Sequence, residues 1–192
     1  MPCLAPAAEQ SQEITTGDPS PPLLRHAPEN VQARSVSAEK WSQMAAELLR
    51  IEELRNPRLA LECADRSLKI DPAYPFAYLN RGSAYMMLDQ PREALADYTE
   101  AIRLAPGLSQ AYFNRAVAHE ALNQYQEAVK DFTVVLGLDS KETEALVRRA
   151  AAFFELLQDG LACKDLEKAC QLGLCSPLDQ AREHQLCPKN NH

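Results

Sequence analysis

The sequence predicts an all-α solenoid of stacked helix pairs, and three observations carry that expectation. Small residues recur at a spacing of about 34 residues, the period of a helix-turn-helix unit: Gly82, Ala116 and Ala150, then Ala77, Ala111 and Ala145, then Ala94, Ala128 and Ala162. Two runs, Tyr78-Leu79-Asn80-Arg81-Gly82 and Tyr112-Phe113-Asn114-Arg115-Ala116, are near copies at the same spacing. No stretch shows the two-residue alternation of a half-buried strand.

Local signals place each helix. The first pair spans Ala38 to Leu54 and Pro57 to Ile70, with Asn56 as N-cap and Pro57 at the first helical position. The second spans Ala73 to Leu88 and Pro91 to Leu104, with Asp89 in the turn between them. The third covers Leu108 to Leu122 and Tyr125 to Leu138. The fourth covers Lys141 to Leu157 and Leu161 to Leu172, with Ser140 as the expected N-cap. Pro72 and Pro106 mark handovers between units, because proline cannot continue the preceding helix. Ser176 to Leu186 reads as a short capping helix, with Ser176 as N-cap and Pro177 following it, covering the last apolar face of the stack.

The positions that recur resemble the tetratricopeptide repeat family. Gly82, Ala116 and Ala150 take the small slot of helix A, and the alanines at 60, 94, 128 and 162 the small slot of helix B. Tyr78, Tyr112, Tyr98 and Phe132 fill the space between them, with Leu146 and Leu166 in the last unit. The resemblance implies a right-handed α-solenoid of three to four repeats plus a C-terminal capping helix. The repeats lie near residues 38–72, 73–106, 107–140 and 141–174, within a domain of 37–175; residues 176–192 form the capping helix and tail. The first unit is the weakest match: Leu48 falls in its small slot and Ala64 in its aromatic slot, which leaves three repeats behind a helical cap as the alternative.

The resemblance also implies a concave groove lined by the free face of each helix A. On that face the sequence places Ala45, Ala46 and Leu49, then Phe76, Leu79, Asn80 and Ser83, then Gln110, Phe113, Asn114 and Val117, and last Glu144, Val147, Arg148 and Ala151. Apolar anchors interleaved with amides suit a peptide, since asparagine both donates to and accepts from a peptide bond. The expected function is therefore a non-enzymatic interaction module, scaffold or adaptor, that holds a protein or peptide partner in the groove. The alternative is an assembly subunit that self-associates through its solenoid ends, near Trp41 or Leu174. Some family members grip a chaperone's C-terminal carboxylate with two lysines, two asparagines and an arginine. Here Asn114 and Arg148 match that clamp, but Leu79, Ser83 and Glu144 replace the other three, and Glu144 would repel a carboxylate.

Composition excludes several classes. A net charge of −7 and a pI near 5.2, without a Lys/Arg cluster, argue against nucleic-acid binding. No apolar run is long enough to cross a membrane. The histidines at 26, 119, 184 and 192 are scattered, no glycine-rich phosphate loop occurs, and no cofactor or metal is expected. His119 falls where Tyr85 and Phe153 lie in neighbouring units, so it reads as a packing residue. Asp97, Glu100 and Asp131 read as solvated helix charges. The segment 1–36, with six of the thirteen prolines, reads as a disordered leader. Its Ala5-Pro6-Ala7 start resembles either the remnant of a truncated export signal or plain proline-rich sequence, so localisation stands between a periplasmic or secreted compartment and the cytoplasm.

Four cysteines crowd the C-terminal end: Cys163, Cys170, Cys175 and Cys187. Spacings of seven, five and twelve fit no common zinc site, and without a CxxC pair a thiol-redox role has little support. Cys163 and Cys170 lie about 10 Å apart along one helix, too far to bond. If the capping helix folds back on the last repeat, Cys163 pairs with Cys187 and Cys170 with Cys175; buried free thiols are the alternative. Cys63 reads as an odd thiol in the core.

Overall fold

Residues 36–50 and 56–188 are described in the computed structural model, and they fold into helices without strands. The order is α1 (Ala38–Arg50), α2 (Pro57–Ile70), α3 (Pro75–Met87), α4 (Pro91–Leu104), α5 (Ser109–Ala121), α6 (Tyr125–Leu138), α7 (Thr143–Glu155), α8 (Asp159–Gln171) and α9 (Ser176–Glu183). Each odd helix packs on the even helix that follows it, and each even helix on the next odd one, so the stack is a solenoid of four pairs closed by α9 on α8. The leader, residues 51–55 and the last four residues lie outside the described residues.

The repeated small residues are the reason the pairs approach. Ala77, Ala94, Ala111, Ala116, Ala128, Ala145, Ala150 and Ala162 are all fully buried. At Gly82 the approach is closest: a Cβ there would meet Tyr98 Cε1 at 2.6 Å, so only glycine fits beneath that ring. Phe132 and Leu146 fill the corresponding space of the later units. Leu178, Ala181 and Cys187 cover Ala162, Cys163 and Leu166, so α9 closes the last apolar face as a capping helix must.

The first pair follows the same plan in a shifted register. Ala45, not Leu48, is the fully buried small residue facing Ala60, and Trp41 and Leu48 pack around it with Cys63 and Ala64. The shift is three residues. It is matched in the sequence, where fifteen residues separate Ala45 from Ala60 against twelve between Gly82 and Ala94. The bulk of Trp41 compensates for Ala64, which stands where later units carry Tyr98 and Phe132.

Helix ends follow the sequence with two corrections. Asn56 caps α2 by accepting from the Leu59 N–H at 3.1 Å, ahead of Pro57. Ser140 does not cap α7: Asp139 Oδ1 accepts from Lys141 N at 2.9 Å and holds a turn there, and Glu142 takes the cap position two residues later. Nor does Ser176 cap α9; it is already helical, and Cys175 is the residue before it. Inside three of the pairs the turn residue is left-handed, Asp89, Asn123 and Leu157 with φ of 58°, 56° and 57°. Asp and Asn tolerate this conformation, whereas leucine is strained in it. Leu157 is also 89% exposed, so its side chain recovers nothing by burial. Leu157→Asn should therefore raise the unfolding free energy by about 1 kcal/mol, read as a higher midpoint in thermal or urea denaturation.

A polar ladder runs through the stack, and it corrects the reading of Asp97 and Asp131 as solvated charges. Both are buried, as is Asp165. Arg81 donates through Nε and Nη2 to Asp97 at 2.8 and 2.7 Å. Arg115 does the same to Asp131, and Arg149 to Asp165, with all four distances 2.8 Å. The remaining Nη1 of each arginine reaches back to the preceding even helix: to Asp65 at 2.8 Å, Thr99 at 3.2 Å and Thr133 at 2.9 Å. One guanidinium thus joins three helices, a use of its fork that lysine could not reproduce. The hydrogen bonds that Arg81 donates to Asp97 hold its proton more tightly than usual, and those that Arg115 donates to Asp131 do the same. Glu100 alone of the three acids is a surface charge, paired with Arg103.

Tyr98 supplies a pH signature. It is 1% exposed and donates to Ser83 Oγ at 3.3 Å, and burial pushes its phenol up to about 12 from 10.0. The fold holds the neutral form, so this contribution is complete below pH 10 and lost as pH rises towards about 12. Urea midpoints should fall across that window, and Tyr98→Phe should remove most of the fall.

Candidate functional site

The odd helices lie side by side, and their successive contacts are stitched by side chains expected in the groove. Asn80 Nδ2 donates to the Ser42 carbonyl and to Ser42 Oγ, both at 2.9 Å, joining α3 to α1. Asn114 Nδ2 donates to Ser83 Oγ at 3.3 Å, joining α5 to α3, while Ser83 Oγ donates to Leu79 O at 3.0 Å. Arg148 Nη1 donates to Glu120 Oε2 at 3.2 Å, joining α7 to α5. With each asparagine's Nδ2 so engaged, its Oδ1 accepts from none of the described residues.

The other expected residues divide between wall and core. Phe76 is 46% exposed and Gln110 is exposed. Phe113 is half-buried, edge-on to Phe132 with ring centroids 5.6 Å apart. Val117 and Val147 are half-buried against the same cluster. Leu79 is core, 8% exposed among Ala94, Tyr98 and Ala111, and Ala45 is fully buried. Leu49 packs half-buried on the first cluster, displaced from its assigned place by the three-residue shift of α1.

Gln110, Phe113 and Glu144 come together with Ser109, Val135, Asp139 and Glu142 around a cavity of about 340 Å³. Phe113 and Val135 form its apolar wall, and the three carboxylates form its rim. Glu144 Oε1 accepts from Arg148 Nε at 3.0 Å, and the Arg148 guanidinium lies 5.8 Å from the centre of the Phe113 ring. Burial pushes the Glu120 carboxyl up despite its pairing with Arg148. Sequence reasoning did not assign Val135, Asp139, Glu142 or Glu120 to this region. Val135 could have been found, since alanine occupies its place in the neighbouring units at Ala101 and Ala169.

Elsewhere, His119 is half-buried and bonded to Gln124 Oε1 at 2.7 Å through Nδ1. Cys163 is joined to Cys187, with Cα atoms 5.6 Å apart, and Cys170 to Cys175. Cys63 is disulfide-bonded in the structure, which corrects its reading as an odd thiol. No group of histidine, cysteine and carboxylate suited to a metal occurs among the described residues. Nor is any described helix long and apolar enough to cross a membrane.

Family profiles described as tetratricopeptide repeat match residues 75–108 and 97–130. No curated protein matches the chain in sequence. Among solved structures, the crystal structure of MamA aligns with a TM-score of 0.66 at 18% identity, over 71% of this chain and 78% of that one. The first tetratricopeptide domain of Spaghetti (RPAP3), bound to the HSP90 peptide SRMEEVD, aligns with a TM-score of 0.59 at 26% identity, over 67% of this chain and 99% of that one. The Arabidopsis OM64 tetratricopeptide domain aligns with a TM-score of 0.56 at 24% identity, over 60% and 93%. Helix pairs repeating at one period, small residues where they cross and these likenesses agree: the chain carries tetratricopeptide repeats, matched by the family profiles over residues 75–130, within an all-α solenoid.

Proposed function

We propose that the face of the odd helices is the binding groove, and that the protein acts as a scaffold or adaptor by holding a segment of a partner protein there. The observation that carries this reading is the cavity lined by Phe113 and Val135; the exposed Phe76 and the amides of Asn80 and Asn114 lie on the odd helices α3 and α5. An extended chain needs such a combination: a recess for a side chain and acceptors for its N–H groups. The likeness to a tetratricopeptide domain with a peptide bound supports the use of this face.

A chaperone tail is a poor fit for it. The peptide in that likeness, SRMEEVD, is acidic. The one clamp cation present here, Arg148, already serves two carboxylates, Glu120 and Glu144. Assembly through the solenoid ends has less to act on at the first pair, where Trp41 is only 9% exposed, than at the last, where Leu174 is 39% exposed beside α9.

Partner capture from native extract tests the groove. Asn80 and Asn114 also stitch the repeats together, so the cleaner variant is Phe76→Ser with Gln110→Ala, whose side chains are exposed. The expected result is loss of the captured partner with an unchanged melting temperature. Undiminished capture would contradict the proposal.

A further inference from the structure

We propose that the cavity between the starts of α5 and α7 takes a lysine or arginine side chain of the partner segment, so the groove selects a basic-apolar sequence and rejects a free C-terminal carboxylate. This rests on the groove reading above and adds the chemistry of its occupant.

The walls argue for a long side chain with a charged end. The half-buried Phe113 ring, above Val135 at 2% exposure, offers apolar surface to an alkyl stem, as amphipathic side chains use it, and Asp139, Glu142 and Glu144 meet the head at the mouth. No lining residue is basic. The volume of about 340 Å³ lies within the range of pockets that hold small organic groups.

The charge balance points the same way. Asp139 and Glu142 each commit one oxygen to a backbone N–H, of Lys141 and of Glu144, which leaves the second oxygen of each for a cation. Glu144 shares Arg148 with Glu120, whereas Asp139 and Glu142 form no ion pair among the described residues, not even with the exposed Lys141 between them. The partial charge at the N-terminus of α7, roughly half a unit, offsets only a fraction of their charge. An incoming carboxylate would add like charge, whereas an ammonium or guanidinium would relieve it.

The acids are a property of this junction and not of the repeat. One unit earlier, Ala105, Leu108 and Gln110 occupy the places of Asp139, Glu142 and Glu144, and Ala101 that of Val135. Of the three, only Asp139 recurs elsewhere in register, as Asp71, which makes the same turn with Ala73 N.

The test is selection of random linear peptides on the full-length protein, followed by titration of an enriched peptide and its Lys→Gln or Arg→Gln counterpart. The variants are Asp139→Asn/Glu142→Gln, which keeps acceptors for the turn and cap, and Phe113→Ala. Enriched peptides should carry lysine or arginine beside an apolar residue. Asp139→Asn/Glu142→Gln should weaken the basic peptide about fivefold or more and leave its neutral counterpart unchanged, with the difference shrinking at high salt. Peptides lost on Phe113→Ala but without a basic preference, or with a preference for a free carboxylate end, would overturn this inference and leave the groove standing. Failure to select any peptide that depends on Phe76 or Phe113 would overturn both.

Discussion

Asp131→Ala should lower the unfolding free energy by roughly 3 kcal/mol, the lower end of the range for breaking a buried ion pair from one side. The carboxylate is buried and accepts two hydrogen bonds from Arg115, so its loss leaves a guanidinium in the interior without a counter-charge. Arg115 keeps about a fifth of its side chain in solvent, which is why the lower end applies. Because Arg115 Nη1 also reaches Thr99, the change should loosen the junction between the second and third pairs as well as the third pair itself. Arg115→Leu/Asp131→Leu together should cost less than Asp131→Ala alone, since it removes both charges. Urea unfolding of the two variants checks this, and a double variant that costs as much as Asp131→Ala or more would contradict it.

The second large effect lies at the C-terminal end. The bridge from Cys163 to Cys187 closes a separation of 24 residues and fastens the end of the chain to α8. Cys163→Ala/Cys187→Ala should therefore cost roughly 3 kcal/mol by the chain-entropy estimate. Hydrogen exchange should quicken first in α9, which packs chiefly on α8. Non-reducing peptide mapping of protein purified from its native compartment should find Cys163 with Cys187, Cys170 with Cys175, and no free thiol at Cys63. Such a pattern belongs to an oxidising compartment; free thiols at these positions would contradict the pairing and place the protein in a reducing one.

Much of the fold was legible because it depends on residues repeating in one register. Gly82, Ala116, Ala150 and their partners gave the pairs, and Pro57, Pro91, Asp89 and Asn56 gave the ends of the helices. The first pair was misread because a constant period assumes a constant spacing between the two small slots of a pair. Fifteen residues separate Ala45 from Ala60, against twelve between Gly82 and Ala94, so Ala45 takes the slot assigned to Leu48. The ladder was missed because Arg115 and Asp131 are sixteen residues apart on different helices, where helical periodicity says nothing about their meeting. Its recurrence at Arg81–Asp97 and Arg149–Asp165 was nevertheless present in the sequence. Of the proposed groove, Phe76, Gln110, Phe113 and Asn114 are assigned from the sequence. Asp139 and Glu142 are not, because they come from the connection between units, where the repeat imposes no pattern.

The most direct test of the groove is photo-crosslinking in native extract, with the crosslinking side chain placed in turn at Phe76, Gln110, Glu93 and Gln126. The first two lie on the odd-helix face, and the last two are exposed on α4 and α6. The account predicts one discrete partner adduct from Phe76 and Gln110 and none from Glu93 or Gln126. Adducts formed only from Glu93 and Gln126 would contradict it.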